Sequence, residues 1–150
     1  MHEVLFAAAR RYLGTPFRHQ GRTAEGLDCF GLVLVACRDS GILSHLGLAA
    51  DYDTQHYTRY PASYQLTQYL EQHLPRLNTE PLAPGQLAVF RLGTHEPSHL
   101  GLLADAAAPC SLLHAWNASV PSRAKVIEHR LDGRWQRRLA ARYALPRGEE

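Results

Sequence analysis

The sequence predicts an α+β fold, with N-terminal helices packed on a central antiparallel β-sheet. Three observations predict it. Apolar residues recur at helical spacing through the first half, short strand-like runs fill the second half, and Pro81, Pro84 and Gly85 mark the change between them.

Residues 2–13 read as the first helix. Val4, Leu5, Ala8, Ala9, Tyr12 and Leu13 fall at helical spacing, and Gly14 stands just past the end. Residues 29–40 read as a second helix, buried on most sides, with Asp28 as its N-cap and Gly41 ending it. The segment 44–60, rich in Asp, Tyr, Thr and Gly, has no period and reads as a loop. Pro61 opens a third helix over 62–74, with Leu66, Tyr69, Leu70 and His73/Leu74 inward, and Pro75 stops it. Strands follow at 86–91, 99–104, 111–115 and 125–129. Residues 131–140 read as a helix and 142–145 as a last short strand.

A chain of 150 residues suits one domain, 1–150, with a sizeable core. Its formal net charge of +2 gives no case for nucleic-acid binding. Arg130, Arg134, Arg137, Arg138 and Arg142 do cluster, but Leu131, Trp135 and Leu139 are interleaved, so the cluster reads as the solvated face of an amphipathic helix. Three cysteines are not spaced as a disulfide framework or a zinc ribbon, which favours folding in a reducing compartment. No stretch is long and apolar enough for membrane insertion. The start Met1-His2-Glu3-Val4 lacks a basic region followed by an apolar core, so the expectation is synthesis in the cytoplasm without a signal peptide. A target outside the cytoplasm would require some other means of delivery.

Chemistry concentrates at Cys29. It lies where the polar run from Gly14 to Arg22 gives way to an apolar helical stretch. Its place in the first helical turn exposes it to unpaired backbone N–H groups and the positive end of the helix dipole, both of which favour the nucleophilic thiolate. His99 and His114 lie on strand-like segments and are candidates for a base and its orienting partner. With the hairpin turn centred between Ala106 and Ala107, paired residues sum to 213 and His99 stands opposite His114. Gly101 shares that face, and its missing side chain is expected to let the Cys29 helix approach closely. Cys37 reads as a buried small hydrophobe and Cys110 as a strand-edge residue. No role is assigned to His45, His56, His73, His95 or His129.

These residues carry a resemblance. Tyr12-Leu13-Gly14-Thr15-Pro16-Phe17 and Leu27-Asp28-Cys29-Phe30-Gly31-Leu32-Val33 resemble the first block of the NlpC/P60 family of papain-like cysteine peptidases. Leu82 to Phe90, Ser98-His99-Leu100-Gly101-Leu102-Leu103 and Leu113-His114-Ala115 are similar to its later strand blocks, in order. The His19-Gln20-Gly21-Arg22 stretch, Val126 to Leu131, Trp135 and Arg142-Tyr143 are similar to the branch encoded in phage and prophage tail modules.

The resemblance implies a papain-like NlpC/P60 fold with Cys29 as nucleophile, His99 as general base and His114 holding the His99 ring. The implied substrate is an amide bond of a peptidoglycan stem peptide, and the implied partners include phage tail proteins. Delivery to a virion, the periplasm or the cell wall follows from that branch. Phe17, His19, Asp28, Phe30 and Trp116 are candidate substrate-binding residues, and neither cofactor nor metal is called for. Phe17 stands where the family usually has Tyr, whose hydroxyl is an oxyanion donor, and Phe30 stands where it usually has Ser. Three alternatives stay open: a structural tail component with a weak or dead site, a zinc site built from Cys29, His99 and His114, and acyl transfer in place of hydrolysis.

Overall fold

The computed structural model describes residues 2–47, 63–93 and 97–147. Helix α1 (Glu3–Arg10) buries Leu5, Phe6, Ala8 and Ala9. It ends earlier than its apolar pattern predicts. Val4 and Leu13 are exposed, so the chain turns out of the helix and reverses at Gly14, whose φ of +86° suits a residue without Cβ. A two-stranded hairpin that the sequence did not reveal follows, β1 (Arg22–Thr23) and β2 (Gly26–Leu27). Helix α2 (Cys29–Asp39) has the predicted start and the predicted Asp28 cap, with Gly41 just beyond its end at φ +83°. A single turn, α3 (Ile42–His45), occupies the start of the segment read as loop. Most of that segment, with Pro61, lies outside the residues described structurally, as does the side chain of Leu66. Helix α4 (Ser63–His73) follows the predicted span and buries Leu70.

The second half forms an antiparallel sheet of β3 (Arg76–Leu77), β4 (Gln86–Arg91), β5 (Pro97–Ala104), β6 (Ser111–Trp116), β7 (Lys125–Arg130) and β8 (Leu139–Ala144). The order is β3-β8-β4-β5-β6-β7. Helix α5 is only Gly133–Arg137, capped by Asp132, rather than the predicted 131–140. Residues from Leu139 onward pair with β4 instead, and Arg142 becomes a strand residue bonded to the Gln86 side chain. The late arginines are therefore split between a strand, a short helix and a second strand, not one helical face. Pairing wins because β8 completes the ladder on the β4 edge, a tertiary gain that local periodicity does not report.

The sheet is covered on both faces, which is why its strands read as nearly continuous apolar runs. Leu87, Val89, Leu100, Leu102, Leu113, Ala115 and Val126 face the helices and meet Leu32, Val35 and Ala36 of α2. Ala88, Phe90, Leu103 and Leu112 face a second, smaller core closed by Leu131 and Trp135. Cys37 is buried in the first core, as expected; Cys110 is fully buried in the second and is not an edge residue. Arg10 of α1 grips the Glu128 carboxylate through two nitrogens at 2.9 and 2.8 Å, and Ser111 Oγ donates to the same group at 2.7 Å. That network fixes Glu128 on the helix side of β7, so the alternating residues Ile127 and His129 face the second core.

Helix α2 also lies hard against the loop before β1. A Cβ built on Gly31 would collide with the Gly21 carbonyl oxygen, a backbone atom that no rotamer change can move. Gly31→Ala is expected to lower unfolding free energy by about 1–3 kcal/mol, read from the denaturant midpoint; an unchanged midpoint would show that the loop yields without cost.

Candidate active site

The site is assembled from the start of α2, the loop before it and the second-core face of β5, β6 and β7. Asp28 organises the first part. Its Oδ1 accepts from the Gly31 amide at 2.7 Å, an N-cap bond, and its Oδ2 accepts from the Gln20 amide at 2.8 Å. Arg22 Nη1 lies 3.2 Å from Oδ1, and the Arg22 guanidinium lies 5.6 Å from the centre of the Phe30 ring. Residues 14–18 run between β7 and β2. The Gly14 amide donates to Val126 O at 2.9 Å, the Phe17 amide to Ala124 O at 2.8 Å, and the Arg18 amide to Leu27 O at 3.0 Å. Phe17 is half-buried against the helix-side core, and His19 is half-buried on the same loop.

Cys29 is the first residue of α2 and is partly exposed. The backbone N–H groups of Leu100, Phe30 and Cys29 itself reach its sulfur and favour the thiolate. They are outweighed. Burial, and then the adjacent Asp28 carboxylate, push the thiol up to about 12. The donors at the helix start are thus opposed by desolvation and a neighbouring negative charge, which favour the protonated thiol.

The two predicted histidines meet. His99 Nε2 and His114 Nδ1 are 2.7 Å apart, and both rings are buried. Their register differs from the expected one. The pairs Leu102↔Leu113, Leu103↔Leu112 and Ala104↔Ser111 sum to 215 rather than 213; continued past the end of the ladder, that register sets Gly101, not His99, against His114. The loop between β5 and β6 is closed by the Ala106 amide donating to Ser111 Oγ at 3.1 Å, which moves the turn centre by one residue. A shift of two in the pair sum preserves the face, so the imidazoles meet diagonally. Gly101 also has a different purpose from that expected. A Cβ there would collide with Leu112 Cδ1 and lie 3.3 Å from His114 Cβ, so the missing side chain makes room for Leu112 and His114 rather than the Cys29 helix.

Ladder pairing between β5 and β6 stops at Leu102↔Leu113, and the sulfur meets β5 beyond that point, at the Leu100 amide. Cys29 and His99 are thus brought to adjacent residues of one strand. Among the described residues, no direct hydrogen bond joins the Cys29 sulfur to the His99 ring, and His99 Nδ1 has no hydrogen-bond partner. Trp116, half-buried, stands edge-on to His99 with ring centres 5.6 Å apart. Phe30, also half-buried, packs edge-on to Tyr69 of α4 at 5.5 Å. Among the described residues, no group of three His, Cys, Asp or Glu side chains is placed to hold a metal ion.

One residue given no role joins the pair. His114 Nε2 lies 2.9 Å from His129 Nε2, and His129 Nδ1 lies 2.8 Å from the Arg130 carbonyl oxygen. Trp135 flanks all three imidazoles, with its ring centre 5.9, 4.9 and 5.7 Å from those of His99, His114 and His129. The β6–β7 pairing carries His129 there: Leu112 pairs with His129 and His114 with Ile127, so His129 is the diagonal neighbour of His114. The signal was present as a period-two match between strands, but residues 117–124 form too irregular a connection to read the register from sequence.

Of the comparisons with known proteins, that with solved structures bears on the fold. No protein-family model matches the chain, and no curated protein matches it. Solved structures do. The NlpC/p60 domain of the peptidoglycan hydrolase SagA matches with a TM-score of 0.59 at 18% identity, covering 97% of this chain and 99% of that one. An NlpC/P60 family protein from Bacillus cereus ATCC 10987 matches with a TM-score of 0.63 at 17% identity, over 97% of this chain and 41% of that one. A protein similar to a lipoprotein of the NLP/P60 family, from Staphylococcus aureus subsp. aureus Mu50, gives 0.61 at 16% identity, over 95% and 40%. The chain thus spans about two-fifths of the length of the latter two. Its fold, a mixed layer of helices on an antiparallel sheet, is that of NlpC/P60 domains.

Buried neutral histidines make stability depend on pH. Burial, and then the Arg138 guanidinium, lower His99 from its ordinary 6.5 to about 3. Burial, followed by His99 and His129, lowers His114 in the same direction. Between about pH 6.5 and about pH 3 the unfolded chain binds protons that the folded chain does not, so stability is full above that window and falls as pH drops through it. His99 alone accounts for a slope of up to about 1.4 kcal/mol per pH unit. Denaturant midpoints measured from about pH 7 to about pH 4 should fall accordingly, and His99→Gln should flatten the slope; equal slopes in both proteins would contradict the assignment.

Proposed function

We propose that this domain is a cysteine amidohydrolase that cleaves amide bonds in peptidoglycan stem peptides. The observation that carries the reading is the His99–His114 pair bonded at 2.7 Å beside a helix-start cysteine, on a fold shared with NlpC/P60 domains, one of them from a peptidoglycan hydrolase. Cys29 is the nucleophile, His99 the general base and His114 the residue that orients it. Phe17, His19, Asp28, Phe30 and Trp116 contribute to the substrate groove.

His99 Nδ1 takes the thiol proton as the sulfur attacks the scissile carbonyl, so no charge pair exists at rest. The sulfur–carbon bond forms and the carbonyl electrons move to oxygen. That oxyanion accepts from backbone N–H groups at the start of α2. Collapse expels the amine, which takes the proton from His99 Nδ1. Water then attacks the thioester with His99 again as base, releasing the acid and restoring the thiol.

Association with a phage or prophage tail, with tail proteins as partners and delivery to a virion, the periplasm or the cell wall, rests on the resemblance of His19-Gln20-Gly21-Arg22, the β7–α5 segment and Arg142-Tyr143 to the tail-module branch. The same segment carries His129 and Trp135 against the paired imidazoles.

A second reading keeps the fold as a structural tail component of low activity. It is favoured by Phe17, which lacks a hydroxyl, and by the missing direct bond between Cys29 and His99. Diaminopimelate-containing muropeptides incubated with the protein separate the two. The hydrolase reading expects a gain of one water mass at a defined amide, abolished in Cys29→Ala; intact peptides after prolonged incubation would support the structural reading. Phe17→Tyr, which restores an oxyanion donor, is expected to raise kcat by up to about 10², with no change in the bond cleaved.

A further inference from the structure

We propose that His129 is a positioning residue that fixes the tautomer of His114, and through it that of His99, leaving His99 Nδ1 as the bare nitrogen. The inference rests on the proposed reading of His99 as the base. A histidine paired only with another histidine is ambiguous, because either ring can donate the shared proton. If His114 Nδ1 donated to His99 Nε2, a neutral His99 would carry its proton on Nδ1 and could not accept one there from the thiol. The His99–His114 contact alone does not decide between the two arrangements.

The far end of the row decides. The Arg130 carbonyl oxygen 2.8 Å from His129 Nδ1 can only accept, so Nδ1 bears a proton. In neutral His129, Nε2 is then bare and accepts from His114 Nε2–H across 2.9 Å. His114 Nδ1 is bare in turn and accepts from His99 Nε2–H across 2.7 Å. The one proton left to assign is absent from His99 Nδ1, the ring nitrogen with no hydrogen-bond partner among the described residues. Every donor in the row points away from that atom.

The surroundings keep the middle of the row uncharged. His114 is fully buried between the other two rings, with Trp135 and Trp116 packed on it. Of the charged groups facing the row, Arg138 acts on His99 and disfavours its cationic form. Asp132 interacts with His129 at the half-exposed end. When His99 takes the thiol proton, it becomes an imidazolium whose Nε2–H still donates to His114, so the row accommodates the transient cation without rearranging.

Nitrogen NMR of the full chain, labelled at histidine and recorded at about pH 7.5, tests the proposal. In the wild type, His129 is expected as the Nδ1–H tautomer, with His114 and His99 as Nε2–H tautomers. His129→Ala should give mixed tautomers at His114 and His99 and slow iodoacetamide alkylation of Cys29 about tenfold, the population change expected for one lost hydrogen bond. His129→Gln, whose side-chain oxygen can accept from His114, should restore both signals. A proton on His99 Nδ1 in the wild type, or unchanged tautomers in a folded His129→Ala, would overturn the inference. Should His129→Ala fail to fold, the wild-type tautomers decide alone. None of these readouts needs turnover, so a protein that shows the expected tautomers but leaves muropeptides intact would refute the hydrolase reading and not this one.

Discussion

The carboxylate of Asp28 is the constraint on which the site depends. One small group satisfies the first turn of α2 through Gly31, fixes the preceding loop through Gln20 and receives the Arg22 guanidinium. The close approach of Gly21 and Gly31 lets loop and helix share that anchor. With the carboxylate removed, the Gly31 amide and the Arg22 charge would lose a shared partner, and the direction in which Cys29 leaves the helix would no longer be set. The same charge raises the thiol's proton affinity, so the group that places the sulfur also restrains it.

The second organising feature is a sheet buried on both faces. Helices α1, α2 and α4 cover one side, and the Trp135 cluster covers the other. The three histidines belong to the Trp135 side, whereas the sulfur arrives from the helix side. Past the last β5–β6 pair, at Leu102 and Leu113, the sulfur reaches the Leu100 amide, the residue next to His99 in β5. A ladder that continued through those residues would occupy the backbone groups that the sulfur now touches.

Much of this could be read from the chain before any coordinates. The helix start at Cys29, its Asp28 cap, the four main strands and the meeting of His99 with His114 all follow from local patterns. They are legible because each depends on residues close in sequence or on a period of two that survives a register error. The misread features depend on distant partners. The α5 region carries a helical pattern, but β4 recruits Leu139 to Ala144 into the sheet. The Cys29 proton affinity could not be read from a helix-dipole argument, because burial is a property of the packed molecule. His129 was passed over because its relation to His114 is set by the β6–β7 register, across a connection with no readable turn.

A sulfur whose surroundings favour the protonated form has a consequence for survival in oxidising surroundings. Peroxides and disulfides attack thiolates, and burial and the Asp28 carboxylate both disfavour that form of Cys29. Conversion to sulfenic acid, and the irreversible steps beyond it, would be slow in the idle domain. Vulnerability to oxidants would be confined to the moments when the nucleophile is in use.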